Sequence, residues 1–264
     1  MADRYAVIGN PVAHSKSPWI HAEFARATGQ DIDYGRVEAP RGGFAAAVQA
    51  FRAAGGKGLN VTLPFKEEAF ALCAEASPRA RAARAVNTLA FREEAFGDNT
   101  DGAGLVRDLA QNLHVSLTGC RVLLVGAGGA AQGVVGALLD AGVGALVVAN
   151  RTVSRAQALA ARFPGVTARG FEALAGTFDL VVNATSAGLA GAALPLPPGI
   201  LRPGVLAYEM VYGRDTPFLA AARAAGARPS DGLGMLVEQA AESFFVWRGV
   251  RPATGAVLER LRHG

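Results

Sequence analysis

The stretch from Arg121 to Asn150 limits the possible folds more than any other part of the chain. A short apolar run, Arg121-Val-Leu-Leu-Val, gives way to Gly126-Ala127-Gly128-Gly129-Ala130-Ala131. A helix-forming segment follows as far as Ala141, then a second apolar run from Ala145 to Asn150. Val122 to Leu139 carries no charge over 18 residues, which reaches the lower length limit of a membrane span. Five of those residues are glycine, and neither flank has an aromatic belt or a basic cluster. The pattern therefore predicts a buried strand, a tight turn and a helix, and no membrane segment.

The spacing of those glycines has a chemical reading. Gly126 permits the tight turn, Gly128 lets backbone approach a pyrophosphate, and Ala131 lets the helix pack closely on the sheet. The N-terminus of the helix offers N–H groups and a positive dipole end to phosphate. The residues predict a dinucleotide site formed by Gly126, Ala127, Gly128, Gly129 and Ala130. NAD sites place an acid about twenty residues on, at the end of the next strand. Here that strand ends in Asn150-Arg151-Thr152, with Arg155 one helical turn later and no carboxylate. Two guanidiniums suit a 2′-phosphate, which a carboxylate would repel, so NADP(H) is the expected cofactor.

The rest of the chain alternates strand and helix. Strands are expected at Tyr5–Gly9, Ile32–Ala39, Gly58–Thr62 and Val86–Phe91, and helices at Pro18–Gly29, Phe44–Ala54 and Glu67–Cys73. A helix is expected from Asp101 to about His114, with Val106, Leu109, Ala110 and Leu113 on one face. Beyond the fingerprint come a helix at Ser154–Arg162, strands at Leu180–Asn183 and Val205–Met210, and a loop at Leu189–Pro203. The series ends in an amphipathic helix, Leu236–Trp247; Met235 just before it and Phe244, Phe245 and Trp247 within it are expected to be core. This implies two α/β domains. A mixed or mainly parallel substrate domain takes residues 1–101 plus 237–264, and a Rossmann domain takes 102–236. The C-terminal helices are expected to return to the first domain.

With 51% hydrophobic and 18% charged residues among 264, disorder is excluded. The formal net charge is +4, and no Lys/Arg tract is dense enough to follow a nucleic-acid backbone. The four histidines have no metal-ligand spacing, so no metal is expected. Two distant cysteines, Cys73 and Cys120, and an N-terminus without a secretory signal predict a reduced, cytoplasmic protein.

Four polar clusters stand where apolar strands stop: Asn10-Pro-Val-Ala-His14-Ser15-Lys-Ser17, Asn60-Val-Thr62-Leu-Pro64-Phe-Lys66, Val86-Asn87-Thr88 and Asn99-Thr-Asp101-Gly102. Parallel sheets bind ligands at the carboxyl ends of their strands, and this set of hydroxyls, amides, two amines and one carboxylate suits a polyhydroxylated acid. Only three of 26 basic residues are lysine, and Lys66 is one of them. An amine can lose its proton where a guanidinium cannot, so Lys66 can exchange a proton with a substrate hydroxyl. Asp101 can equally serve as the base, with Lys66 polarising the oxygen. The residues leave that choice open.

In this order, and joined to the fingerprint and to Asp231-Gly-Leu-Gly-Met235-Leu-Val-Glu-Gln239-Ala, these motifs resemble the shikimate dehydrogenases over essentially the whole chain. The resemblance implies a cytoplasmic enzyme of aromatic biosynthesis that interconverts shikimate and 3-dehydroshikimate with NADP(H), as a monomer or homodimer. It implies Ser15 and Ser17 at the substrate carboxylate, and Thr62, Asn87 and Gln239 at its ring hydroxyls. Tyr212 would be a further substrate contact, Lys66 and Asp101 the catalytic pair, and Met210 and Gly232 residues on the nicotinamide side. His14 stands where many relatives carry serine. Three other readings remain: a quinate enzyme using NAD, a ligand sensor without turnover, and a folate-linked dehydrogenase. Arg151 and Arg155 oppose the first, the Lys66/Asp101 pair the second, and the hydroxyl-rich Ser15/Ser17 loop the third.

Overall fold

In the computed structural model, which describes residues 2–263 apart from the side chains of Leu189 and Ala190, the chain forms two compact units. One is Met1–Gly104 with Leu236–Gly264, the other Leu105–Met235.

The first unit is built on strands β1 (Asp3–Gly9), β2 (Ile32–Glu38), β3 (Gly56–Val61), β4 (Glu75–Ala76), β5 (Thr88–Phe91) and β6 (Ala95–Asp98). They lie in the order β2-β1-β3-β5-β6-β4. β1 pairs in parallel with β2 and β3, but β5 runs antiparallel to both β3 and β6. The sheet is therefore mixed. The hairpin from β5 to β6 turns on Arg92-Glu93-Glu94, a charged run with none of the glycine or asparagine that marks a tight turn from sequence. Helices α1 (Ser17–Thr28), α2 (Phe44–Ala53), α3 (Lys66–Leu72) and α4 (Pro78–Ala83) connect the strands. Phe44, Val48, Leu59, Phe65 and Leu89 are among the residues that form the core on one side.

Helix α5 (Asp101–Arg107) departs from expectation. After Arg107 the backbone becomes a π-helix over Asp108–Asn112, in which Leu113 N donates to Asp108 O at 2.9 Å. The wider turn shifts the register, so Ala110, expected on the buried face, is exposed.

The second unit carries β7 (Arg121–Val125), α6 (Gly129–Asp140), β8 (Ala145–Ala149), α7 (Val153–Ala160), β9 (Val166–Arg169), β10 (Leu180–Asn183), β11 (Leu206–Glu209), α8 (Pro217–Ala224) and β12 (Arg228–Ser230). Every neighbouring pair in its sheet is parallel, in the order β12-β11-β10-β7-β8-β9. The strand order reverses between β7 and β10, so this is a doubly wound dinucleotide fold with its crevice at the end of β7. Alternate residues serve opposite faces: Val122, Leu124, Val148 and Val182 join one core, Leu123, Val125, Val181 and Ala207 the other. That is why the strands read as unbroken apolar runs.

Helices α9 (Leu233–Arg248) and α10 (Gly255–His263) end the chain. Phe244 is fully buried, but Phe245 is 46% exposed and is not core, because it lies a further 100° around the helix from Phe244. Residues Ala187–Ala190, partly within the expected loop, form a 3₁₀ turn. Among the described residues no helix is long and apolar enough to cross a membrane.

Candidate active site

Lys66 and Asp101 meet in the first unit, though 35 residues apart in sequence: Nζ lies 2.5 Å from Asp101 Oδ2. Each starts a helix, Lys66 that of α3 and Asp101 that of α5. Their side chains are 14% and 7% exposed, so the pair is held out of bulk water yet remains reachable. Asn99 Oδ1 accepts the Asp101 N–H at 3.2 Å, which leaves the Asp101 carboxylate to side chains.

Asn87 completes the arrangement. Its Oδ1 accepts the Thr100 backbone N–H at 2.8 Å, and a backbone amide can only donate. The amide orientation is thereby fixed, with Nδ2 directed to Asp101 Oδ1 at 2.8 Å. Both carboxylate oxygens of Asp101 thus accept from donors, one from Asn87 and one from Lys66. Gln239, on α9, takes a weaker bond from Asn87 Nδ2 at 3.3 Å and faces this cluster rather than solvent.

Behind these groups lies a buried polar layer that sequence motifs missed. Ser243 Oγ accepts from Asn60 Nδ2 at 2.9 Å and sits 2.8 Å and 3.1 Å from the hydroxyls of Thr88 and Thr100. Tyr34 Oη donates to Asn60 Oδ1 at 2.7 Å. The available signal was that Ser243 falls one helical turn after Gln239, on the same face of α9.

Ser15 and Ser17 are buried, and the Ser17 N–H donates to Ser15 Oγ at 3.2 Å. Arg36, which the motifs did not single out, fixes this loop through a bond to the Ser15 carbonyl at 2.5 Å. Thr62 is half-buried just past β3; a Cβ at Gly9 would lie 2.4 Å from its methyl group, so only glycine fits there. His14 is exposed.

Arg79 and Asp98 support the same unit. Burial alone would raise the Asp98 carboxyl, but hydrogen bonds and charge from Arg79 outweigh it and hold it below the usual carboxylate range. Arg79 also pairs with Glu242 of α9 at 3.0 Å.

In the second unit Gly126 follows β7 with φ +115°, a conformation that glycine tolerates and L side chains rarely adopt. A Cβ there would stand 3.1 Å from the Ala184 carbonyl. Gly128 is the N-cap of α6 and supplies no side-chain cap, so the first N–H groups of the helix are left for an anion. Ala127 is buried; Gly129 and Ala130 are half-buried in the first turn of α6. Asn150 closes its own turn by donating to the Thr152 carbonyl at 2.9 Å. Arg151, Thr152 and Arg155 are exposed, and no ion pair of either arginine occurs among the described residues. The donor set fits a phosphorylated dinucleotide. Met210 and Tyr212 are half-buried after β11, and Gly232 is buried beside them, where a Cβ would lie 2.3 Å from the Met210 carbonyl. Among the described residues no group of three or more His, Cys, Asp or Glu could hold a metal.

Comparison with known proteins adds to this geometry. Residues 7–89 match the shikimate dehydrogenase substrate binding domain, 108–190 the shikimate / quinate 5-dehydrogenase family, and 232–262 the shikimate 5'-dehydrogenase C-terminal domain. The chain belongs to the shikimate dehydrogenase family. It is 59% identical to the shikimate dehydrogenase (NADP(+)) of Methylobacillus flagellatus, over 98% of this chain and 99% of that one. Among solved structures, shikimate 5-dehydrogenase from Thermus thermophilus, in complex with NADP(H) and shikimate, is 37% identical with a TM-score of 0.88, covering 99% of both chains. An Ael1 enzyme from Pseudomonas putida is 49% identical with a TM-score of 0.92, covering 98% of both.

Proposed function

We propose that this protein catalyses the reversible, NADP-dependent reduction of 3-dehydroshikimate to shikimate. The observation that carries the reading is the contact of Lys66 with Asp101, oriented by Asn87, in a family whose relatives bear that activity in their names. Bound NADP(H) supplies the hydride. Lys66 gives a proton to the oxygen of the reduced carbonyl, or takes it from the hydroxyl in the reverse direction. Asp101, accepting on both oxygens, holds the amine in place and compensates its charge. Asn87 and Gln239 bind ring hydroxyls together with Thr62, and Ser15 and Ser17 bind the carboxylate.

In the same reading the glycine turn and α6 hold the pyrophosphate, Asn150, Arg151, Thr152 and Arg155 hold the 2′-phosphorylated adenosine half, Met210 and Gly232 stand on the nicotinamide side, and Tyr212 is a further substrate contact. Residues 1–101 with 237–264 act as the substrate domain, and 102–236 as the cofactor domain. Both cysteines are free, which accords with a reducing cytoplasm. The monomer and the homodimer are the assemblies we favour.

The test follows reduced nicotinamide by absorbance, with shikimate or quinate and NADP or NAD in all four combinations. Turnover is expected with shikimate and NADP. Turnover confined to quinate or to NAD would overturn the assignment.

A further inference from the structure

Glu209 is a buried acid to which the reaction above gives no role. It ends β11 and is fully buried, yet it has no ion pair among the described residues. All its hydrogen bonds come from neutral donors in two neighbouring turns. Oε2 accepts from Asn183 Nδ2 at 2.8 Å and from the Thr216 hydroxyl at 2.9 Å, and Oε1 from the Val211 N–H at 3.3 Å. Asn183 passes the constraint on: its Oδ1 accepts both the N–H and the hydroxyl of Thr185, whose hydroxyl accepts from Ala187 N. Thr216 caps α8 through Leu219 N. Space is tight, since a Cβ at Gly188 would lie 3.2 Å from Glu209 Oε2 and 2.9 Å from the Thr216 methyl.

A carboxylate buried without a cation is costly, and a neutral side chain of the same size could occupy this site. Burial raises the Glu209 carboxyl above its ordinary value, and bonds from Asn183, Val211, Thr216 and the Met210 backbone offset only part of that rise. The location supplies a reason to keep a charge there. A dinucleotide crosses a doubly wound sheet at the switch point, here between β7 and β10. With the 2′-phosphate on the β8 side at Arg151, its other half falls to β10 and β11, whose ends carry Asn183 and Glu209.

We propose that Glu209 is a positioning residue for the nicotinamide half of the cofactor, and that its buried negative charge favours the oxidised ring over the reduced one. This rests on the NADP reading above. The oxidised ring carries a positive charge and the reduced ring none, so a fixed carboxylate in a region of low dielectric stabilises only the former.

The experiment measures the Kd of NADPH by its fluorescence and of NADP+ by competition, in the native protein, Glu209→Gln, Glu209→Asp and Thr216→Val. Glu209→Gln is expected to weaken NADP+ relative to NADPH by about fivefold or more, because only the charge is removed. Thr216→Val and Glu209→Asp keep the charge and disturb the turn, so both forms should weaken together. An unchanged NADP+/NADPH ratio in Glu209→Gln overturns the proposal. Should that variant fail to fold by circular dichroism, a selective loss of NADP+ in Thr216→Val, where the charge remains, overturns it instead. A native protein that binds neither form refutes the NADP reading rather than this inference.

Discussion

Lys66 and Asp101 share a hydrogen bond of 2.5 Å while the other oxygen of Asp101 is occupied by Asn87. An amine so held can neither rotate away nor be replaced by a guanidinium, whose proton is not released near neutral pH. Lys66→Ala and Lys66→Arg are both expected to lower kcat by about a hundredfold or more, the scale of a general acid–base group. KM for shikimate should change by less than tenfold. Steady-state kinetics of both variants check this; a raised KM with native kcat would make Lys66 a binding residue only.

Arg151 and Arg155 are exposed at the end of β8 and the start of α7, and no carboxylate stands between them in the chain. Charge-assisted bonds to a phosphate are worth about 1.5–3 kcal/mol each, so Arg151→Ala with Arg155→Ala should weaken NADP by about a hundredfold or more. NAD lacks the phosphate and should bind nearly as before. Isothermal titration with each cofactor separates the cases, and equal losses would assign the arginines some role other than reading the phosphate.

The second unit was the more legible half. Its strands are buried on both faces, so each appears as an apolar run, and glycines mark the turn between β7 and α6. The first unit hid its hairpin because the Arg92-Glu93-Glu94 turn has no distinctive residue, and β4 is only two residues long. Short elements such as β9, β12 and α8 were missed for the same reason: four or fewer strand residues, or one helix of small residues, give too little periodicity. At the site, motifs found the groups at strand ends but not Ser243, Arg36 or Tyr34. Those residues act through contacts with residues distant in sequence, such as Ser243 with Asn60, 183 residues away. Spacing carries no trace of Arg36 or Tyr34, and marks Ser243 only by its place one helical turn after Gln239.

Gly234 illustrates a constraint of that kind. A Cβ there would stand 1.8 Å from Asp108 Oδ1, and Asp108 Oδ2 accepts the buried Tyr208 hydroxyl at 2.6 Å. Gly234→Ala must displace the carboxylate and strand the phenol, a loss of about 3 kcal/mol or more in unfolding free energy. Asp108→Ala should restore part of the stability of Gly234→Ala by removing the clash, although it costs stability alone. Urea melts of the two single variants and the double variant test this. Strict additivity would show that the two positions do not interact.

His21 sets the acid limit of the first unit. Its ring is wholly buried and stacks on Tyr34 at 4.2 Å between centroids, with Phe244 and Trp247 close by. Burial penalises the imidazolium and lowers its pKa from 6.5 to about 3. Between those values the unfolded chain binds a proton that the folded chain refuses. The stability due to neutral His21 is therefore fully present above pH 6.5 and is lost as pH falls toward 3, at about 1.4 kcal/mol per pH unit. Asp98 acts only in more acid solution, because its carboxyl is held below the ordinary value of 3.8. Its contribution is intact above that value and disappears as pH drops through the lowered one. His21→Phe keeps a ring in the stack and removes the titration, at a pH-independent packing cost of about 1–3 kcal/mol. Denaturant melts from pH 7 to pH 4.5 should therefore show the native protein losing stability faster than His21→Phe, with the two curves converging. If the two lose stability in parallel across that range, the acid sensitivity originates elsewhere.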